Sequence, residues 1–178
     1  MNNLTQDIAL ASKKETKERI WEILETVYDP EIPVLTILDL GIVREVRFDD
    51  SIHSPHGGWK VIITPTYSGC PAMDVIGMNI RKALIDNGFD KIEITYQLSP
   101  AWTTDWLTEK GKEKLKSFGI APPVSKTFDI DYLRSLPVEC PHCRSKNTKL
   151  VSQFGSTACK ALYQCDNCGE PFDYFKCH

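Results

Sequence analysis

Long apolar stretches are absent from this chain of 178 residues. No hydrophobic run approaches the roughly 20 residues that a membrane-spanning helix needs, so the sequence predicts no membrane insertion. The first residues, MNNLTQDIALASKKETKE, also lack the basic start and apolar block of a secretory signal. These absences favour a cytoplasmic protein, in a compartment where thiols stay reduced and disulfides are rare.

A strong basic charge is also missing. The net charge is −3, and no segment carries the basic stripe that nucleic-acid-binding proteins use. The densest basic stretch, KGKEKLK at 110–116, is interpreted as the solvated face of a helix. We therefore expect no nucleic acid among the partners.

Cysteine is distributed unevenly along the chain. Of seven cysteines, six lie within residues 140–178, and an odd total argues against a closed disulfide framework. Two C-x-x-C pairs stand in this tail, Cys140 with Cys143 and Cys165 with Cys168. Two such turns place four thiolates around one tetrahedral ion, the arrangement of a structural zinc ribbon. An iron–sulfur cluster on the same four thiolates is the alternative.

The rest of the tail offers further candidates. A hairpin is predicted for the spacer, with residues 149–154 pairing with residues 161–164. Four side chains are spare potential ligands: Cys159, Cys177, His142 and His178. The two cysteines among them are interpreted as small buried fillers rather than ligands. The aromatic residues Phe172, Tyr174 and Phe175 suit either a protein-docking face or the core of the ribbon itself.

Hydrophobic periodicity predicts helices at 15–28, 72–87 and 104–118 and strands at 42–48, 59–66 and 91–98. This order of elements is typical of an α+β domain, with helices packed against one small sheet. The predicted organisation is a flexible N-terminus (1–14), the α+β domain (15–122), a linker (123–136) and a zinc-ribbon domain (137–178).

The seventh cysteine, Cys70, lies in TYSGCPAMDVIG between a predicted strand and a predicted helix. If Pro71 takes the first helical position, Cys70 occupies the N-cap, where backbone N–H groups face its sulfur. The helix dipole then lowers the pKa of the thiol and favours the thiolate, which attacks electrophiles or binds metal. The alternative is a buried small residue at a tight corner.

Several segments resemble known families. The stretches VYDPEIPVLTILDLGIV (27–43), TPTYSGCPAMDVI (64–76) and LSPAWTTDWLTEKGKEKLKSFGIAPP (98–123) resemble the MIP18 family, also called DUF59. Its members are associated with the maturation of iron–sulfur proteins. With the tail FGSTACKALYQCDNCGEPFDYFKC (154–177), the chain is similar to the PaaD, or PaaJ, family, whose members belong to bacterial phenylacetyl-CoA epoxidase systems.

This resemblance implies a role in aerobic phenylacetate degradation, where a multicomponent di-iron oxygenase epoxidises the ring of phenylacetyl-CoA. A reductase with an iron–sulfur cluster and a flavin supplies its electrons. The implied role is a non-catalytic maturation factor that handles iron or an iron–sulfur cluster for one of these components. The DPE and GCP motifs of the family fall on Asp29-Pro30-Glu31 and Gly69-Cys70-Pro71, which makes Cys70, Asp29 and Glu31 the candidate cargo ligands.

The sequence leaves alternatives open. One cysteine cannot hold a cluster, so the role predicts either a homodimer that shares two Cys70 thiolates or ligands from the client. Asp29 and Glu31 also suit a plain helix-ending turn. A structural adaptor that docks on the oxygenase or reductase through its ribbon is the second hypothesis. An enzyme with Cys70 as nucleophile is the third, and it lacks an evident histidine base.

Overall fold

Two small sheets organise the molecule. The structure is a computed structural model that describes residues 3–52, 57–124 and 130–176, without the side chains of residues 3–12, 130 and 132. In chain order its elements are α1 (Asn3–Leu24), β1 (Val43–Asp49), β2 (Gly58–Ile63), α2 (Ala72–Asp86), β3 (Ile92–Tyr96), a 3-10 turn (Thr104–Trp106), α3 (Glu109–Ser117), β4 (Ile120–Ala121), α4 (Ile130–Ser135), β5 (Thr148–Ser152), β6 (Lys160–Cys165) and β7 (Pro171–Phe175). The predicted α+β class is confirmed.

The first sheet has the order β1-β2-β3. β1 and β2 are antiparallel, whereas β2 and β3 are parallel and α2 makes the crossover between them. The central strand β2 is buried on both faces, through Val61, Ile62 and Ile63. Helices α1 and α2 contact each other, and Ile20, Leu24, Ile80 and Leu84 from these helices lie in the main core.

The bounds of α1 differ from the prediction. The helix begins at Asn3, well before residue 15, because the N-terminal segment contains neither glycine nor proline to interrupt it. It ends at Leu24 rather than at 28, because the following backbone pairs elsewhere. Ile37 donates its N–H to the Val27 carbonyl, and Asp29 donates to that of Leu35.

The second sheet has the order β4-β7-β6-β5 and contains the tail. The predicted hairpin is present, because β5 and β6 are antiparallel and pair from Thr148–Cys165 onward. Part of the predicted linker belongs to this unit, since α4 carries Leu133 into the second core. Phe172 and Tyr174 are also buried there, and Phe175 lies in the main core. Their interpretation as an exposed docking face is wrong.

The tail is attached to the first domain by backbone pairing. β4, which follows α3, runs parallel to β7. The ring of Phe175 on β7 lies edge-on to Trp102, with centroids 6.0 Å apart, and the Trp102 indole donates to the Leu40 carbonyl at 2.8 Å. The two units therefore share one packed boundary.

No helix of the described ranges, residues 3–52, 57–124 and 130–176, is long and apolar enough to cross a membrane.

A buried carboxylate links the loop before β1 to α3. The hydroxyl of Thr36 and the carboxylate of Asp39 each accept a backbone N–H from the other residue at 3.0 Å. Lys114, one residue of the predicted solvated face, instead forms an ion pair with Asp39. Burial raises the pKa of Asp39, but the hydrogen bonds from Lys114 and Thr36 outweigh burial and hold the pKa below its ordinary value.

We expect Asp39→Asn to lower the free energy of unfolding near neutral pH by about 1–3 kcal/mol. A depressed carboxyl pKa gives stability that is present above the unfolded value, about 3.9, and is lost as pH falls through the folded pKa. The difference between wild type and variant should therefore shrink below about pH 4. Urea unfolding of wild type and variant at matched pH values measures this difference in the free energy of unfolding. Asp86→Asn, in an exposed pair with Lys82, is the control and should change little. A constant difference across this pH range would contradict the assignment.

Gly41 provides a second test. It lies just before β1 with φ +66°, and a Cβ at this position would overlap the Trp106 carbonyl. Gly41→Ala should lower the free energy of unfolding by more than about 2 kcal/mol, since strain and overlap each cost about 1–3 kcal/mol. Gly88 has φ +88° and open space around it. Gly88→Ala should therefore cost only the conformational strain, about 1–2 kcal/mol. Equal losses in thermal unfolding would refute the steric argument.

Candidate functional site

The four cysteines of the tail converge. The Sγ atoms of Cys140, Cys143, Cys165 and Cys168 all lie within 4.8 Å of one another. Two of the separations are 3.8 Å, for Cys140 to Cys168, and 3.5 Å, for Cys143 to Cys165. Four thiolates at about 2.3 Å from one tetrahedral ion are about 3.8 Å apart. The donor set and its spacing fit a single metal ion.

Two matching turns build this cluster. In each turn the N–H one residue beyond the second cysteine donates to the carbonyl of the first, from Arg144 to Cys140 and from Gly169 to Cys165, both at 2.9 Å. Arg144 and Gly169 both have positive φ, 63° and 80°. Further N–H groups, of Cys168 and then Asn167, point at the Cys165 sulfur and lower its pKa to about 7. At Cys165 the turn therefore favours the thiolate that a metal requires, whereas the neighbouring cysteines help to raise the pKa of Cys143 and Cys168.

Cys70 lies one residue before the N-cap of α2, not at the N-cap itself as the sequence predicted. The helix begins at Ala72 with Pro71 in the cap position, and Gly69 has φ +84° with open space beside it. Burial raises the pKa of Cys70, while the Ala72 N–H and the Tyr67 hydroxyl lower it and the carboxylates of Glu31 and Asp29 raise it. The net shift is upward. The predicted lowering of the pKa is therefore wrong, because burial and nearby anions outweigh the helix terminus.

The DPE turn supplies those anions. Asp29 Oδ1 accepts the N–H groups of Glu31 at 2.8 Å and of Ile32 at 2.7 Å, which is the turn geometry that the sequence left open. Burial raises the pKa of Asp29 despite these bonds. Glu31 is close enough to Cys70 to raise the pKa of its thiol. The structure thus brings Cys70, Asp29 and Glu31 into one neighbourhood.

Cys159, interpreted from sequence as a filler, reaches the same neighbourhood from the tail. It lies directly before β6, is 5% exposed and belongs to the main core rather than to the ribbon core. Its thiol donates to Glu31 Oε2 at 3.6 Å. Burial and then Glu31 raise the pKa of Cys159 to about 11, although the Thr157 hydroxyl lowers it. We call the group formed by Cys70, Cys159, Asp29, Glu31 and Tyr67 the junction cluster.

Two buried lysines border the junction cluster, and no sequence pattern predicts their burial. Lys176 is 2% exposed, and its Nζ donates to the Gln153 carbonyl at 2.6 Å. Lys160 is 5% exposed and lies 3.8 Å from the Asp173 carboxylate. Burial lowers the pKa of Lys176 below its ordinary value, although the charge of Cys159 opposes this shift. Charged groups of both signs therefore meet at the boundary between the two units.

The remaining sequence candidates do not join either cluster. His142 lies in the turn between Cys140 and Cys143, beside Gly119, and is not among the grouped metal ligands of the described residues. Cys177, His178, His53 and His56 lie outside the described residues. Cys159 had one detectable signal, its position just before the second strand of the predicted hairpin. Only the folded chain connects it to Glu31.

Known proteins share both parts of this architecture. Residues 17–94 match the family model of iron-sulfur cluster assembly proteins, and residues 131–176 match that of the PaaD zinc beta ribbon domain. The D subunit of a putative 1,2-phenylacetyl-CoA epoxidase of Escherichia coli is 51% identical over 160 residues, which cover 89% of this chain and 91% of that protein.

Other relatives cover the first unit alone. An Fe-S protein maturation auxiliary factor of Porphyromonas gingivalis is 34% identical over 57% of this chain and 91% of its own length. A crystal structure of a DUF59 domain from Bacillus anthracis, 26% identical, superimposes with a TM-score of 0.53 over 60% of this chain and 96% of that one. The resemblance seen in the sequence is confirmed: the chain belongs to the PaaD family of phenylacetyl-CoA epoxidase components, in which an iron–sulfur assembly domain of the MIP18 type precedes a PaaD zinc ribbon.

Proposed function

We propose that the chain is a non-catalytic maturation factor of a phenylacetyl-CoA epoxidase system and that it binds iron or an iron–sulfur cluster as cargo. The observation that carries this proposal is the convergence of Cys70 with the carboxylates of Asp29 and Glu31. Thiolate and carboxylate together suit iron better than they suit a covalent reaction. The names of the relatives, one an epoxidase component and one a maturation factor, support the same role.

The electrostatics of the junction cluster support a cationic cargo. Burial, Glu31 and Asp29 raise the pKa of both thiols, so without a cation the thiols are protonated. A metal cation nearby reverses this balance, because it stabilises a thiolate directly. Binding at such a site releases protons, and release of the cargo is favoured when protons return.

For the tail we propose a structural zinc ion held by Cys140, Cys143, Cys165 and Cys168. All four positions around a tetrahedral ion are then filled by protein, as in structural zinc sites. The short separations between the sulfurs favour a single ion over a cluster, since a cluster places several iron and sulfide atoms between its cysteines. Zinc bound there stabilises the folded ribbon by on the order of 10 kcal/mol.

The partners we propose are the oxygenase or the iron–sulfur flavin reductase of the same system, in the cytoplasm. The alternative, an adaptor that docks through its ribbon, finds less support. The aromatic side chains that would have formed its docking face, Phe172, Tyr174 and Phe175, are at most 4% exposed. An adaptor also has no use for a thiol near two carboxylates.

Zinc removal is the first test. We expect one zinc per chain by metal analysis, and its removal by a strong chelator should unfold the ribbon and expose Trp102 through loss of Phe175. Tryptophan fluorescence and limited proteolysis report both events. Cys165→Ser should give the same result as chelation, whereas Cys70→Ala should keep its zinc. Iron and sulfide retained at the tail of Cys70→Ala would refute the zinc assignment.

Cys70→Ala is the second test, because it removes a sulfur ligand without touching the ribbon. Anaerobic reconstitution with iron and sulfide should give a visible chromophore in wild type that the variant lacks. Ser68→Ala, an exposed change in the same loop, is the control and should behave as wild type. The variant should also fail to raise the iron content of a co-expressed epoxidase system. Equal chromophores, or full support of the epoxidase by Cys70→Ala, would exclude the cargo role and leave the adaptor.

A further inference from the structure

We propose that Cys159 supplies a second thiolate ligand to the cargo site, so that one chain binds an iron(II) ion between Cys70 and Cys159. This inference rests on the proposed function and deepens it. It assigns a metal ligand to the ribbon, outside the four-cysteine cluster. The cargo site is then shared by the two units of the chain.

One hydrogen bond and two shared neighbours connect the thiols of Cys70 and Cys159. The Cys159 thiol donates to Glu31 Oε2 at 3.6 Å, across a separation of 128 residues. Glu31 also acts on Cys70, since it lies among the groups that perturb that thiol. Tyr67 is a second shared neighbour, because it is hydrogen-bonded to Cys70 and close enough to Cys159 to be affected by its charge. Glu31 and Tyr67 therefore lie near both Cys70 and Cys159.

The surroundings of Cys159 are not those of a filler. A buried structural cysteine packs as a small apolar side chain and needs no polar contacts. Cys159 instead has the Thr157 hydroxyl at 3.0 Å, the Glu31 carboxylate at 3.6 Å and the charge of the buried Lys176 nearby. Burial of so many polar groups is unfavourable unless each has a partner. A cation between the thiols would replace the thiol proton as the partner of Glu31.

The proposed ligands do not fill the coordination sphere of an ion, as a site for transient binding requires. Among the described residues, the four ribbon cysteines form the only group of three or more ligands whose atoms all lie within 4.8 Å of one another. The junction cluster must therefore draw its side chains together on binding. Two thiolates and one carboxylate suit iron(II) and leave at least one position for a ligand of the client. A second copy of the chain is then not needed to hold the ion.

Cobalt(II) is a suitable probe, because its near-ultraviolet thiolate absorption increases with the number of thiolate ligands. Full-length protein with zinc already in the ribbon is titrated without air, for wild type, Cys159→Ser, Cys70→Ser and the double variant. We expect one cobalt per monomer in wild type, a band of about half the intensity in each single variant, and no thiolate band in the double variant. Loss of one ligand should weaken cobalt binding by about tenfold or more.

Controls separate misfolding from ligand loss. Each variant must retain one zinc per chain, and Ser156→Ala, a change in the turn that precedes Cys159, should bind as wild type. Should Cys159→Ser lose zinc, Cys159→Ala answers the same question, because a small apolar side chain suits this buried position. Analytical ultracentrifugation of the cobalt-bound protein gives the number of chains per ion.

The outcomes are distinct. If Cys159→Ser keeps the full band and affinity while Cys70→Ser loses them, Cys159 is not a ligand and the cargo role of Cys70 still stands. One cobalt per two chains, with a band that depends only on Cys70, would overturn the inference in favour of a shared homodimer site. If wild-type protein binds no ion beside zinc, the inference fails, whereas the proposed function is decided by the iron and sulfide reconstitution of Cys70→Ala.

Discussion

The convergence of four sulfurs in the tail is the constraint on which the remaining structure depends. The C-x-x-C turn at 165–168 connects β6 to β7, and the sulfur cluster joins it to the turn at 140–143, which precedes β5. β7 in turn pairs with β4 of the first unit and places Phe175 against Trp102. A ribbon of this size has too little core to fold alone, so whatever holds the four thiolates together also closes part of the main core.

The same dependence positions the junction cluster. Cys159 reaches Glu31 because β6 lies between β5 and β7, and because Lys176, just after β7, donates its N–H to the Cys159 carbonyl at 3.0 Å. The first unit alone contains Cys70, Asp29 and Glu31 but only one thiol. On the proposed function, the anchored tail completes the cargo site as well as stabilising the fold. Metal in the ribbon and cargo binding would then be coupled through packing, without a shared ligand.

The local sequence pattern predicted those features of the fold that interactions between nearby residues determine. The alternation of β2, the crossover helix α2 and the two C-x-x-C turns each follow from residues close together in sequence, and the structure contains all of them. Long-range contacts decide the rest. The backbone hydrogen bond from Ile37 to Val27 helps to end α1. Lys114, predicted on a solvated helix face, instead forms an ion pair with Asp39, in a loop distant in sequence. The neighbours of Cys159 depend on how the tail packs. The sign of the Cys70 pKa shift depends on burial and on the nearby carboxylates, and hydrophobic periodicity predicts neither.

The two sulfur groups differ in how completely the protein fills a coordination sphere, and this difference separates their roles. Four thiolates around one ion leave no position for an exchanging ligand, which is why closed sites are structural. The junction cluster offers at most two thiols and the carboxylates beside them, held protonated by burial and by one another. A metal bound there keeps positions for an acceptor and competes with protons for its ligands. On the proposed function, incomplete coordination would allow cargo to leave, and a ribbon that binds its own ion tightly would keep that incomplete site in shape.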